Sequence, residues 1–143
     1  VEALPEPVSL VVVDASFISL RLLLPVLRGW LAPAADVIAL VKPQFEAGKG
    51  QVGKGGVVRD PAIHARVLRD VLGFAEGTGF APRGVTVSPL KGPAGNVEFL
   101  AWLTVGDPAP APAVDDLVRP ALEAARAMEG PEAATAERQT PAD

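Results

Sequence analysis

The segment VIALVKPQFEAGKGQVGKGGVVRDP, residues 37 to 61, joins a short apolar run to a glycine-rich stretch and then to a helix start. The apolar run has no polar alternation, which is typical of a strand buried on both faces of a parallel sheet. The strand ends at Lys42, because Pro43 favours an extended backbone in the residue before it. Asp60 followed by Pro61 predicts an N-cap and the first position of a helix. The segment therefore predicts a strand, a long loop and a helix, which is half of an α/β repeat.

A second apolar run, VSLVVV, lies upstream at residues 8–13 and ends at Asp14, and it also predicts a buried strand. Between the two strands, ISLRLLLPVLRGWLAP at 18–33 predicts a helix with Ser19 as its N-cap. Pro25 either kinks this helix or begins its second segment. A strand, a helix and a second strand in this order form the βαβ unit of a parallel sheet.

Downstream, the helix that starts at Asp60 has an apolar residue at every fourth position, and Gly77 can end it. Two more strands are predicted at 80–90 and 96–105. The loop between them, KGPAGN, is short, so these strands are expected to be antiparallel neighbours. The order of elements predicts an α/β fold with a mostly parallel sheet and a terminal antiparallel strand pair.

This α/β unit is expected to occupy residues 1–106. Its first strand is wholly apolar, which predicts a central position, and a central strand needs a partner on each side. We therefore expect the chain to be the C-terminal half of a doubly wound sheet. Residues 107–143 begin within the stretch GDPAPAPA at 106–113, which indicates a Pro/Ala-rich linker, and continue with a predicted short helix at 114–129. The acidic end of the chain is expected to be disordered.

Composition excludes several classes of site. The 143 residues include no Cys and a single His, His64, which excludes disulfides and cysteine-based zinc sites and disfavours a histidine-rich metal site. No apolar stretch is long enough to span a bilayer, and a cytoplasmic location is expected. The net charge is −4, but the middle of the chain is rich in basic residues. We expect Lys49, Lys54 and Arg59 to close over a phosphate backbone, with an ordinary mixed surface as the alternative.

The glycine-rich stretch matches two nucleotide-binding patterns only in part. Gly48, Gly50 and Gly53 have the spacing of a dinucleotide fingerprint, but the glycines are not placed between a strand end and a helix start as that motif requires. A phosphate-binding loop would need a Ser or Thr hydroxyl at position 55, where this chain has glycine. A phosphate-loop nucleotidase is therefore disfavoured.

Three charged residues interrupt or border the apolar strands. Asp14 and Lys42 end the first two strands, and Glu98 lies near the start of the last one. If the last strand runs antiparallel to the others, all three residues lie at the same edge of the sheet, where ligands of α/β proteins collect. Each residue also has a structural interpretation: a turn cap for Asp14, a snorkelling strand end for Lys42 and a frayed strand start for Glu98.

The blocks VVVDASFISL, ALVKPQFEAGKGQVGKGGVVRDP and SPLKGPAGNVEFLAWL, between about Pro7 and Val105, resemble the hemolysin A, or TlyA, family within the FtsJ-like group. The resemblance implies a Rossmann-like fold that binds S-adenosyl-L-methionine, of which this chain would be the C-terminal half. It also implies 2′-O-methylation of cytidine in ribosomal RNA, with ribosomal RNA or a ribosomal subunit as the partner.

The family's catalytic tetrad is Lys-Asp-Lys-Glu, and its last three members match Asp14, Lys42 and Glu98. The resemblance further implies that Asp14, Ser16 and Phe17 border the cofactor, with Phe17 also close to the target nucleotide. A core position for Phe17 is the alternative. Lys42 would act either as a general base or as an ammonium that steers the ribose hydroxyl, and the sequence leaves both roles open.

The family's first catalytic lysine, its glycine-rich cofactor loop and its RNA-binding domain have no counterpart in these residues. The chain alone is therefore expected to be inactive. The alternative function is a non-catalytic methyltransferase-like module that binds RNA or protein. For the oligomeric state, the expectation is a homodimer that forms through an exposed sheet edge. The lytic activity in the family name is not supported, since no amphipathic cationic helix is evident.

Overall fold

The computed structural model describes residues 4 to 138, in which four strands form one sheet with the order β1-β2-β4-β3. Their bounds are Val8–Val13 (β1), Leu31–Val41 (β2), Ala81–Val87 (β3) and Phe99–Val105 (β4). β1 and β2 pair in parallel, whereas β4 runs antiparallel to both of its neighbours, β2 and β3. The arrangement confirms the predicted α/β class and the antiparallel pair formed by the last two strands.

Four α-helices accompany the sheet in this part of the chain. Their bounds are Leu20–Arg28 (α1), Pro43–Glu46 (α2), Pro61–Gly77 (α3) and Val114–Arg138 (α4). The two predicted N-caps are confirmed: the Ser19 side chain accepts a hydrogen bond from the backbone N–H of Arg21, and Asp60 accepts one from Ala62. Such bonds satisfy N–H groups that a helix start leaves without an intrahelical partner.

The core lies between the sheet and the apolar faces of α1, α3 and α4. Alternate residues of β2, such as Val37 and Val41, are buried in it, as the two-residue period of a strand requires. On the opposite face of the sheet Leu10, Val12 and Trp102 are exposed. No helix among residues 4–138 combines the length and apolar character needed to cross a bilayer.

One prediction about the first βαβ unit is wrong. The helix predicted at 18–33 ends at Arg28, and Leu31–Pro33 belong to β2. The cause is pairing with β1: Val8 donates its N–H to the carbonyl of Trp30 at 3.0 Å, which draws the chain into the sheet. β1 lies at an edge of the described sheet with β2 as its one partner there, and its central position in a complete doubly wound sheet stays a prediction.

The region after β4 is more ordered than expected. Arg83 donates hydrogen bonds to the backbone carbonyls of Asp107, Ala109 and Pro110, so the proline-rich linker is fixed to β3. α4 then extends to Arg138, well beyond the short helix predicted at 114–129 and into the segment expected to be disordered. Its buried residues, which anchor it on the core, include Val118, Ala121 and Ala125. Residues 139–143 of the predicted tail lie outside the described residues.

Candidate functional site

Three connections meet at the edge of the sheet where β1, β2 and β3 end and β4 begins. They are residues 14–19 after β1, 42–60 after β2 and 88–98 before β4. Val41 pairs with Phe99 in the last register position of β2 and β4, so Lys42 and Glu98 lie one residue beyond it on adjacent strands. The predicted convergence of strand ends at one edge is therefore present in the backbone geometry.

Lys42 joins the first two connections. Its Nζ lies 2.6 Å from Asp14 Oδ1 and donates a hydrogen bond to Ser16 Oγ at 3.0 Å. Lys42 is only 8% exposed, whereas 67% of the Asp14 side chain is exposed. The Lys42 ammonium is thus buried against the protein, and the Asp14 carboxylate of the same pair faces solvent.

Glu98 lies at the same edge but has a different partner. Its Oε2 accepts a hydrogen bond from Gln44 Nε2 at 2.9 Å, and its backbone carbonyl accepts one from the N–H of Ser88 at 2.8 Å. Within the described residues, no ion pair joins Glu98 to Lys42. The structure therefore brings Asp14 and Lys42 into contact and places Glu98 nearby on the adjacent strand.

The turn after Asp14 presents an aromatic side chain to solvent. Phe17 is 89% exposed, so it does not occupy the core position that was its alternative. Its φ of 63° lies in the left-handed region, which costs a residue with a side chain on the order of 1 to 3 kcal/mol and is enriched at functional sites. The Phe17 ring contacts Phe45 of α2 with 4.9 Å between ring centroids.

The glycine-rich connection is fixed to the rest of the site by two buried side chains. Asn96 Oδ1 accepts a hydrogen bond from the N–H of Val58, and Asn96 Nδ2 donates to the carbonyl of Gly56. His64 donates from Nε2 to the carbonyl of Val58 at 2.8 Å, since a carbonyl can only accept. The bases predicted to bind RNA lie in or next to this connection, and all three are exposed: Lys49, Lys54 and Arg59.

Sequence reasoning missed the polar residues that support this edge. Glu46 accepts hydrogen bonds from Ser19 Oγ at 2.6 Å and from the N–H of Leu20 at 2.7 Å, so a buried carboxylate stabilises the start of α1. Gln44 and Glu46 both lie on α2, the short helix within the predicted loop. The available signal was Pro43, which follows an extended residue and suits the first position of a helix.

The chain is similar to known proteins over most of its length. The family model of the FtsJ-like methyltransferases matches residues 1–105. The 16S/23S rRNA (cytidine-2′-O)-methyltransferase TlyA of Mycobacterium tuberculosis is 54% identical over 102 residues, which are 71% of this chain and 38% of that protein. YqxC of Bacillus subtilis, provisionally named as an rRNA methyltransferase, is 55% identical over 91 residues, 64% of this chain and 32% of that protein.

A solved structure agrees with the sequence matches. A provisionally named hemolysin from Streptococcus thermophilus superimposes with a TM-score of 0.73 at 42% identity, covering 85% of this chain and 45% of that one. The chain spans only about a third of the length of the two curated relatives, 32% of YqxC and 38% of TlyA. The similarity confirms the Rossmann-like methyltransferase fold and the relationship to TlyA that the sequence predicted. The chain belongs to the FtsJ-like methyltransferase family.

Proposed function

We propose that this chain forms part of an RNA methyltransferase that transfers a methyl group from S-adenosyl-L-methionine to the 2′-hydroxyl of cytidine in ribosomal RNA. The observation that carries the proposal is the contact of Lys42 with Asp14 and Ser16 at the sheet edge, beside Glu98. A ribose hydroxyl is a weak nucleophile at neutral pH, so a site for this reaction must orient it and stabilise the charge that develops on its oxygen.

Lys42 is suited to that task as an ammonium. Two of its three N–H donors are directed to Asp14 and Ser16, which leaves one for the ribose oxygen. As the hydroxyl proton passes to water, a fixed cation next to the developing alkoxide stabilises the transition state more than the ground state, because the charge appears only as the reaction proceeds. Asp14 orients the lysine, and Glu98 adds a second carboxylate to the rim of the site.

The residues after β1 fit one side of a cofactor site. When bound, S-adenosyl-L-methionine supplies an electrophilic methyl group on a sulfonium centre, next to a cationic amino group. Asp14 uses Oδ1 for Lys42 and keeps its other oxygen on the exposed side, where it can bind a cation. Ser16 and the exposed ring of Phe17 continue the same turn and offer a hydroxyl and an aromatic face. Among these residues, Asp14, Ser16 and Phe17 would hold the cofactor.

The RNA contact is proposed for the glycine-rich connection. Lys49, Lys54 and Arg59 are exposed, and the hydrogen bonds of Asn96 hold part of their connection next to the loop before β4. Exposed bases on a fixed backbone can bind phosphates without a large ordering cost. Phe17 also offers a stacking surface to the nucleotide that enters the site.

The test is a pair of lysine substitutions in the protein as its gene encodes it. Lys42→Met should lower methyl transfer from tritiated S-adenosylmethionine to unmodified ribosomal RNA by about 10²- to 10³-fold, as expected for loss of one transition-state donor. Lys91→Met removes an exposed lysine from the same edge without touching the pair with Asp14, and it should retain most of the activity.

Retention of full activity by a folded Lys42→Met protein would overturn the assignment of the site. A wild-type protein that binds ribosomal RNA but transfers no methyl group would instead identify a non-catalytic RNA-binding module. Mapping of the methylated nucleotide in RNA from the wild-type reaction decides whether the target is cytidine.

A further inference from the structure

Gln44 connects α2 to the candidate site and uses only one end of its side-chain amide. Its Nε2 donates to Glu98 Oε2 at 2.9 Å. The orientation of the amide follows from this bond, because an ionised carboxylate accepts only and would repel the amide oxygen. The other end, Oε1, is buried and has no hydrogen-bond partner in the part of the chain that the structure describes.

A buried acceptor without a donor is unusual. Most buried polar atoms in proteins are paired, and an unpaired one costs about 1 to 3 kcal/mol. Of the charged side chains at this edge, Asp14 and Glu98 are carboxylates, which accept when ionised, and the contacts of Lys42 Nζ are with Asp14 and Ser16 rather than with Oε1. Oε1 can therefore accept a hydrogen bond from an O–H or N–H group of a molecule bound at the edge.

We propose that Gln44 binds the substrate: Glu98 fixes its amide through Nε2, and Oε1 accepts a hydrogen bond from the 2′-hydroxyl of the nucleotide to be methylated. This inference rests on the proposed function. An amide oxygen is too weak a base to keep the proton, so Gln44 orients the hydroxyl, and the proton that methylation releases passes to water. With its hydrogen directed to Gln44, the hydroxyl presents an oxygen lone pair to the methyl group.

The proposal gives Glu98 a defined task as well. The carboxylate holds the donor end of Gln44, so the orientation of the acceptor end is fixed before RNA binds, and the atoms that cover Oε1 move aside when the nucleotide enters. Such pre-orientation lowers the entropy cost of binding and reaction. Gln44 is thus the group through which Glu98 acts on the ribose.

A thermodynamic cycle tests the contact directly. We would measure the affinity of the wild-type protein and of Gln44→Met for an RNA fragment that carries the mapped methylation site, with either ribose or 2′-deoxyribose at that nucleotide. Removing the hydroxyl should weaken binding to the wild-type protein about two- to tenfold, the value of one neutral hydrogen bond. The same change should have little effect on Gln44→Met. An equal loss for both proteins would overturn the proposal.

A second variant covers the case in which Gln44→Met folds poorly. In Gln44→Glu the introduced carboxyl faces Glu98, and two carboxylates in contact raise the pKa of the one that holds the proton. The protonated carboxyl donates to Glu98 and still offers a carbonyl oxygen, as glutamine does. The rate of Gln44→Glu relative to the wild-type rate should therefore rise as the pH falls, and a ratio that is constant with pH would contradict the proposal.

The controls separate this inference from the proposed function. Glu76→Met removes a polar side chain of similar length from the exposed end of α3, and its rate relative to the wild-type rate should not change with pH. If the folded wild-type protein transfers no methyl group to RNA at any pH, the proposed function fails. If the wild-type protein is active and the cycle shows no coupling, only the role of Gln44 fails.

Discussion

Glu98 is accommodated at the sheet edge because Gly92 has no side chain. A Cβ added to Gly92 would overlap Glu98 Oε2 and lie 2.6 Å from its Cδ, far inside van der Waals contact. The backbone N–H of Gly92 donates to the carbonyl of Asn96 at 2.7 Å, which closes the loop under the carboxylate. The glycine is therefore required by close approach rather than by its dihedral angles.

We predict that Gly92→Ala separates activity from stability. The end of the Glu98 side chain can move aside, so the free energy of unfolding should fall by only about 1 kcal/mol. The movement breaks the 2.9 Å bond to Gln44, and a displacement of about 1 Å in a site can lower the rate on the order of 10²-fold. Urea unfolding and methyl transfer to ribosomal RNA measure the two effects.

Gly73→Ala is the matched control for this prediction. Gly73 lies in α3, and apart from its chain neighbours and the nearby backbone of that helix no atom lies within 4 Å of the position that an alanine Cβ would take there. Alanine should therefore stabilise the helix by about 0.5 to 1 kcal/mol without a change in rate. A Gly92→Ala protein with the wild-type rate would show that the position of Glu98 is not important for the reaction.

Sequence reasoning found Asp14, Lys42 and Glu98 at the edge and missed Glu46 and the neutral Gln44. Asp14 and Lys42 are visible because each ends an apolar strand, and strand ends of parallel strands meet in space. Gln44 interrupts no pattern, since it lies in what reads as a polar loop. Its significance arises from a bond to a residue 54 positions away in the sequence, which no local pattern encodes.

At the scale of elements, the connection after β2 depends on one buried side chain for its position. Asn96 is 2% exposed and binds Val58, Gly56 and Pro93, so it joins the glycine-rich connection to the loop before β4. We predict that Asn96→Ala lowers the free energy of unfolding by on the order of 2 to 4 kcal/mol, because buried backbone groups lose their partner. Urea denaturation measures this loss.

Gln51→Ala is the control, because it removes an exposed amide side chain from the same connection. Hydrogen exchange adds a local readout: the Val58 amide should exchange faster in Asn96→Ala while amides of β2 stay protected in the native ensemble. Equal unfolding free energies for Asn96→Ala and Gln51→Ala would show that the connection is held by other contacts.

Element boundaries were predictable where a cap or a proline sets them. Ser19 and Asp60 begin α1 and α3 as predicted, because their side chains satisfy N–H groups within two residues. The end of α1 was not predictable, since Trp30 and Leu31 continue an apolar pattern that suits a helix or a strand equally. Pairing with β1, a contact distant in sequence, decides the choice.

The whole molecule has an uneven distribution of charge. The net charge is −4, yet the candidate edge presents exposed bases next to the Lys42 site, while α4 begins with Asp115 and Asp116. Those two acids pair with Arg69 and Arg119. The exposed bases of the candidate edge are therefore the groups expected to attract an anionic RNA.

This asymmetry leads to a prediction about salt. Each phosphate contact releases counterions, so the logarithm of the RNA affinity falls with the logarithm of salt concentration by about 0.7 per contact for single strands. Replacing Lys49, Lys54 and Arg59 together by Gln should weaken binding to ribosomal RNA and make the slope shallower by up to about two units.

The double variant Arg69→Gln, Arg119→Gln removes bases that already pair with acids, so its slope should match the wild-type slope. Filter binding across a salt series measures both slopes, and an unchanged slope in the triple variant would assign the RNA phosphates to a different surface.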